Sequence, residues 1–271
     1  MLPIMLQLYN VRNELKNDFD KTLQEVADIG YKYVELALAQ SYGKTASEFR
    51  ASLDKAKLTA LSAHVPFKDM LNDPEGVIGF HLETGCKYIV IPYISADDFK
   101  GEKYEEVKRG ISLLGEEVNK RNAVLLYHNH EFEFTDLNGK YALDDLYDSI
   151  PSNLLQTQID VCWAKVGGVD PAEYVLKYSG RAPIVHLKDF DSSEGGTLKA
   201  EYDLIGQAKK ARAAGAFPFR AVGHGIQDIP GIIKAAEKAG TEWLVVEQDL
   251  PSPGKTPIEC AKESLDYLMS I

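Results

Sequence analysis

Eight short apolar, β-branched runs recur between longer helical patterns, at 4–8, 33–37, 58–63, 88–92, 124–130, 155–160, 184–188 and 243–247. Short runs alternating with helices call for parallel βα units, because a parallel neighbour is reached only through a crossover connection. Eight such units close into a barrel, whereas an open doubly wound sheet usually has fewer. The chain is therefore expected to be a single (β/α)8 barrel domain over residues 1–271, a length that suits one such unit.

Helix starts are legible. Thr45-Ala46-Ser47-Glu48 reads as a capping box, in which the Thr hydroxyl takes a backbone N–H and the Glu reaches back to the cap. Asp170-Pro171-Ala172-Glu173 and Thr256-Pro257-Ile258-Glu259 place proline at the first helical position, where its missing N–H costs nothing. Gly30 and Gly240 follow helical runs and precede strands, as C-terminal caps do. Phe19, Leu23, Val26 and Ala27 recur at helical spacing and are expected to pack against the barrel. The segment 191–216 breaks the alternation and is expected to be a long loop after the seventh strand, where loops belong to a site or cover it.

The formal charge of −11 argues against a phosphate-backbone partner, and the basic residues form no stripe. Cys86, Cys162 and Cys260 are widely spaced with no CxxC pair, so they read as small buried residues of a reducing compartment. The N-terminus lacks the basic start and apolar core of a signal peptide, and no apolar run is long enough to span a membrane. A cytoplasmic protein with no nucleic-acid or membrane partner is expected.

The ionisable residues fall where a barrel would use them. Glu35, His64, the run His128-Asn129-His130-Glu131-Phe132-Glu133, Asp160, His186, Lys188 and Glu247 lie at or just past the C-terminal ends of candidate strands. Those ends meet on one face of a barrel. Inward-facing charges there are costly unless paired or bound to a cation. Three carboxylates and one imidazole suit a hard or borderline divalent ion such as Mn²⁺, Co²⁺, Mg²⁺ or Zn²⁺. Taken singly, a strand-end His is more often a hydrogen-bonded structural residue, and Asp160 would serve equally as a cap for the turn after it. Their joint occurrence on strands five to eight favours a metal.

The segments GYKYVEL (30–36), SAHVPF (62–67), YHNHEFEF (127–134), IDVCWAKVGGVDP (159–171), VHLKDF (185–190) and VVEQD (245–249) resemble the sugar phosphate isomerase/epimerase family, within the xylose isomerase-like barrel superfamily. The resemblance spans almost the whole chain. It implies a divalent metal held by Glu133, Asp160, His186 and Glu247. Relatives commonly place the first of these carboxylates inside strand five, where this chain has Leu125-Leu126-Tyr127-His128. Alternation puts His128 and His130 on one face and Glu131 and Glu133 on the other, so a histidine is an open alternative as the ligand. A second departure is Gly223-His224-Gly225, where relatives often carry an acid; His224 is expected to face solvent.

The implied activity is a metal-dependent sugar isomerase or epimerase working by proton transfer next to a carbonyl through an enediolate. Glu133 and Glu247 are the expected base and acid, and Lys188 the donor to a developing oxyanion. His64, His128, His130 and Trp163 are expected to contact a small carbohydrate substrate. Two alternatives stand beside it: a metal-dependent lyase or dehydratase on a keto-inositol or 3-keto-glycoside, and a non-catalytic sugar-binding barrel. An abasic-site endonuclease would need more ligands and a basic face. A homodimer stays open.

Overall fold

The computed structural model describes residues 2–37, 40–137, 139–191 and 218–271. Its strands are β1 (Ile4–Gln7), β2 (Tyr33–Leu36), β3 (Thr59–His64), β4 (Tyr88–Ile91), β5 (Val124–His128), β6 (Gln156–Asp160), β7 (Ile184–Leu187), β8 (Asp189–Phe190), β9 (Phe219–Arg220) and β10 (Trp243–Val246). Eight of them close a parallel barrel in the order β1-β10-β7-β6-β5-β4-β3-β2, and β8 and β9 pair as a separate antiparallel ribbon. Each barrel strand falls within a run expected from the sequence or one residue beyond it. The segment 191–216 expected as a long loop lies, from 192 onward, outside the described residues.

Strand alternation divides the apolar residues into two layers. Met5, Leu61, Tyr88, Val90, Leu126, Ile184 and Val245 fill the barrel interior. Leu6, Val34, Ala63, Ile89, Leu125, Tyr127, Ile159, Val185 and Val246 face outward against the helices in a larger cluster. Phe19, Leu23 and Val26 are buried there, with Ala27 packed against its edge. The three cysteines are buried and free.

The helix caps form as the sequence dictates. Thr45 N–H donates to Glu48 Oε2 at 2.8 Å and Glu48 N–H to Thr45 Oγ1 at 3.3 Å. The same reciprocal pair joins Thr256 and Glu259, and Asp170 accepts from Glu173 N–H at 2.9 Å. Gly240 closes the helix Ile229–Ala239 at φ +83°, a left-handed conformation that glycine adopts without strain. Among the described residues no helix is long and apolar enough to cross a membrane.

One irregularity shapes the site. Val34 is opposite Ala60 but Glu35 is opposite Ser62, so Leu61 is an extra residue in β3. A bulge of this kind re-aims the side chains beyond it. Here it turns Ser62 toward the Glu35 carboxylate while Leu61 stays in the barrel interior.

Candidate metal centre and active site

The inward positions at the C-terminal ends of the strands are polar. Gln7, Glu35, Ser62, His64, His128, Gln158, Asp160 and His186 lie on the barrel strands, with Lys188 and Glu247 just past β7 and β10, and all are buried. So dense a polar cluster inside a barrel is tolerable only if every charge has a partner.

His128, Asp160, His186 and Glu247 each aim one donor atom at a common point, all within 4.8 Å of one another. His186 Nδ1 is 3.1 Å from Glu247 Oε2, and His128 Nε2 is 3.7 Å from Asp160 Oδ2. Asp160 divides its two oxygens between two tasks. Oδ1 accepts the N–H of Trp163 at 2.9 Å and caps the helix Val161–Val166; Oδ2 is buried with no hydrogen-bond partner among the described residues. A buried carboxylate oxygen that accepts no hydrogen bond, next to two imidazoles and a second carboxylate, fits a divalent cation. The donor chemistry fits as well, since two imidazoles and two carboxylates are a borderline set.

Lys188 crosses the same space. Its Nζ lies 3.0 Å from Glu247 Oε2, 3.1 Å from Asp249 Oδ1 and 3.4 Å from Asp160 Oδ2. Burial would strip its proton, but Asp249, Glu247 and Asp160 hold the ammonium well above the ordinary lysine range. Burial likewise works against a charged Glu247, and the cations Lys188 and His186 overcome it and hold the carboxylate well below its usual range. Asp160 is pushed up to about 6, by burial first and against the pull of Lys188.

Below this group sits Glu35, fully buried on β2. Its Oε1 accepts from Gln7 Nε2 at 2.7 Å and faces His186 Nε2 at 2.7 Å and His64 Nε2 at 3.1 Å. Its Oε2 accepts from Gln158 Nε2 at 2.6 Å and from the Ser62 hydroxyl. Burial alone would neutralise it, yet His64 and His186 keep it ionised well below the usual range. His186 is in turn raised to about 10 because Glu35 and Glu247 outweigh its burial. The proton on the Nδ1 side, facing Glu247, is the one a bound cation would displace. His128, whose burial is reinforced by the neighbouring imidazoles, is neutral.

The expectation that Glu133 joins this group does not hold in the geometry. β5 ends at His128, and the chain turns through Phe132–Phe134, carrying Glu133 to the outward layer. There it accepts from the Tyr127 hydroxyl at 2.5 Å and from His130 N–H at 2.7 Å. Burial pushes its carboxyl up to about 8 against those two hydrogen bonds. His128 holds the strand-five position instead, the alternative that alternation had left open. His64 also reaches the rim, but its Nε2 is taken by Gln158 Oε1 at 2.7 Å.

His130 stands at the rim between rings. It stacks on Trp163 at 5.9 Å and 25° and on Phe132 at 5.9 Å and 13°, and burial pushes it down to about 3, so it is a neutral imidazole. Trp163 lies under Lys188, whose Nζ is 4.9 Å from the ring centroid. His224 is exposed, as expected. The glycines around it have a packing reason. Asp189 accepts the N–H groups of Phe190, Gly223, Gly225 and Gln227, and a Cβ on Gly225 would collide with Asp189 Oδ1. Gln7, Ser62, Gln158 and Asp249 were not singled out from the sequence. Gln158 was findable by its spacing alone, two residues before Asp160 and so on the same face.

The chain belongs to the xylose isomerase-like TIM barrel family, whose pattern matches residues 23–271. Among curated relatives, the inosose dehydratase of Geobacillus kaustophilus (strain HTA426) is 23% identical over 273 residues, covering 92% of this chain and 86% of the relative. The inosose dehydratase of Clostridium tetani (strain Massachusetts / E88) is 26% identical over 171 residues, 63% of this chain, and the match spans only 55% of that relative's length. Among solved structures, a sugar phosphate isomerase/epimerase from Parabacteroides distasonis ATCC 8503 superposes with TM-score 0.78 at 21% identity, covering 100% of this chain and 94% of the other. The IolI protein, solved with a bound zinc atom, superposes with TM-score 0.68 at 13% identity over 99% of this chain and 97% of its own. At such identities the structural likeness speaks for the fold.

Proposed function

We propose that the protein is a divalent-metal-dependent dehydratase acting on a small polyhydroxylated cyclic ketone, with His128, Asp160, His186 and Glu247 holding the metal. One observation carries this: those four residues converge around Asp160 Oδ2, which accepts no hydrogen bond among the described residues, beside a buried ammonium. Two imidazoles and two carboxylates suit Zn²⁺, Co²⁺ or Mn²⁺ better than Mg²⁺. When bound, the ion would polarise the carbonyl and lower the cost of negative charge on its oxygen.

The residues around it then have distinct tasks. Asp249, half-buried and raised above the usual aspartate range by burial, takes the proton from the carbon next to the carbonyl. Lys188 donates a proton to the departing hydroxyl and recovers one from Asp249. One C–H and one C–O bond break, a C=C bond forms, and water leaves. His130, neutral and close to Trp163, orients a substrate hydroxyl, and Trp163 gives the ring an apolar wall.

Elimination is favoured over epimerisation on two grounds. The withdrawal of Glu133 into the outer layer removes one carboxylate of the acid–base pair that epimerisation would use. The curated relatives named above are inosose dehydratases. The isomerase reading keeps its support from the resemblance to the sugar phosphate isomerase/epimerase family.

The test is to strip the protein with a chelator, reload it separately with Zn²⁺, Co²⁺ or Mn²⁺, and incubate it in D2O with keto-cyclitols and ketoses. NMR then follows deuterium entry next to the carbonyl and loss of water. Metal-dependent loss of water is expected. Epimer formation without loss of water would support the isomerase reading. Exchange undiminished by stripping, or absent with every ketone, would overturn both.

A further inference from the structure

We propose that Gln158 is the positioning residue that makes His128 a metal ligand and keeps His64 from being one, and that Glu35 sets its amide for this task. The inference rests on the metal-centre reading above and adds the device that selects among its histidines.

Three imidazoles, of His64, His128 and His186, crowd the rim within ligand distance of one another. Which nitrogen of each is free decides which can bind a cation, since a ring nitrogen carrying a proton has no lone pair to give. The chain of hydrogen bonds settles this from below. Gln7 Oε1 is fixed by the backbone N–H of Tyr9 at 3.0 Å, so its amide N–H2 must face Glu35. With Gln7 and the Ser62 hydroxyl donating to it, Glu35 presents carboxylate oxygens as acceptors. Gln158 meets Glu35 Oε2 at 2.6 Å, a contact that only its N–H2 end can make. An amide oxygen there would face a carboxylate oxygen with no proton between.

With its nitrogen so placed, Gln158 turns its Oε1 to both histidines. It lies 3.0 Å from His128 Nδ1 and 2.7 Å from His64 Nε2. Both nitrogens must therefore be N–H donors. For His128 this leaves Nε2 with a free lone pair, and Nε2 is the atom that faces Asp160 Oδ2 at 3.7 Å. For His64 the nitrogen pointing into the rim is the protonated one, spent on Gln158 and on Glu35 Oε1. One neutral amide thus assigns opposite tautomers to two neighbouring histidines. Glu35 meanwhile faces His186 Nε2 at 2.7 Å, leaving Nδ1 for the centre. A single deep carboxylate orients both histidine ligands, one directly and one through Gln158, in the way outer groups orient metal-bound imidazoles. Gln158 is fully buried on β6, opposite His128 in register, and among the described residues its amide is spent on these contacts alone.

The experiment uses the full chain labelled with ¹⁵N in its histidines and loaded with zinc. Two-bond ¹H–¹⁵N correlation should show His128 protonated at Nδ1 and zinc-bound at Nε2, and His64 protonated at Nε2. Gln158→Met, similar in length but lacking the amide, should bind zinc about 10- to 100-fold more weakly in competition with a chromophoric chelator. Gln158→Glu, which restores an oxygen acceptor and in its protonated form can still donate to Glu35, should recover the His128 Nδ1–H signal. The wild-type spectrum needs no variant, so a misfolded Gln158→Met does not remove the test. His128 coordinating through Nδ1, or Gln158→Met binding zinc as tightly as wild type, would overturn the proposal. Wild-type protein that binds neither zinc nor cobalt would instead overturn the metal centre itself, and this assignment with it.

Discussion

Replacing Glu133 by alanine separates a structural brace from a metal ligand. In the fold Glu133 accepts the Tyr127 hydroxyl and the His130 N–H, and both oxygens are fully buried. Removing the carboxyl strands two buried donors, each at about 1–3 kcal/mol. A central value of about 4 kcal/mol for the pair, at about 2–4 °C of Tm per kcal/mol for a chain of this size, predicts a Tm lower by roughly 8–16 °C. Zinc affinity should stay within about threefold of wild type, because a ligand loss would cost far more than that. Differential scanning fluorimetry reads the first quantity and chelator competition the second. The Tyr127→Phe variant closes a double-mutant cycle: with the donor gone, Glu133→Ala should cost less than it does in wild type. An unchanged Tm combined with a hundredfold loss of zinc affinity would refute the reasoning and return Glu133 to the metal.

Four further outcomes are expected from the same geometry. Burial raises Glu133 to about 8 in the folded protein, whereas a glutamate in an unfolded chain titrates near about 4.3. Its contribution to stability is therefore complete below the unfolded value and is lost as pH rises through about 8, so Glu133→Gln should flatten the alkaline decline in urea midpoint between pH 6 and 9; an unchanged slope would contradict this. Lys188→Met leaves Asp160, Glu247 and Asp249 facing one another without their shared cation, and should cost the metal-free protein about 3–5 kcal/mol. Saturating zinc should restore part of that, making the zinc-induced rise in Tm larger than in wild type; an equal rise would count against Lys188 and the ion sharing these carboxylates. Gly225→Ala drives a Cβ into Phe190 O and the Asp189 carboxylate, and should lower stability by about 1–3 kcal/mol in urea titration while leaving zinc affinity unchanged. Zinc at about one hundred times its Kd should stabilise the wild type by about 2.7 kcal/mol, measured as an upward shift in Tm, and no shift would remove the metal centre.

The eight barrel strands were legible because parallel strands buried on both faces are written as apolar runs, and their helix caps because threonine- and aspartate-led starts act locally. The rim was legible in part. Asp160, His186 and Glu247 could be placed because strand ends converge, whatever lies between them in sequence. Glu133 could not, because β5 stops at His128 and the turn after it obeys hydrogen bonds to Tyr127 and His130 rather than strand parity. Asp160 was expected to be either a cap or a ligand; its two oxygens let it cap with one and face the centre with the other. Gln7 and Ser62 carried no signal, and Gln158 only its spacing to Asp160, because neutral side chains gain meaning only beside the buried Glu35, and the bulge at Leu61 that brings Ser62 to it is invisible to periodicity.

The tethered ammonium of Lys188 has a kinetic consequence. A free counter-ion resting on Asp160 and Glu247 would diffuse away when a metal arrives. This one is tethered just past β7 and can only swing toward Asp249, which it already touches. Loading of the proposed centre would thus be an exchange between two cations of which one never leaves. Its rate should then track the side chain's excursions more than the concentration of metal.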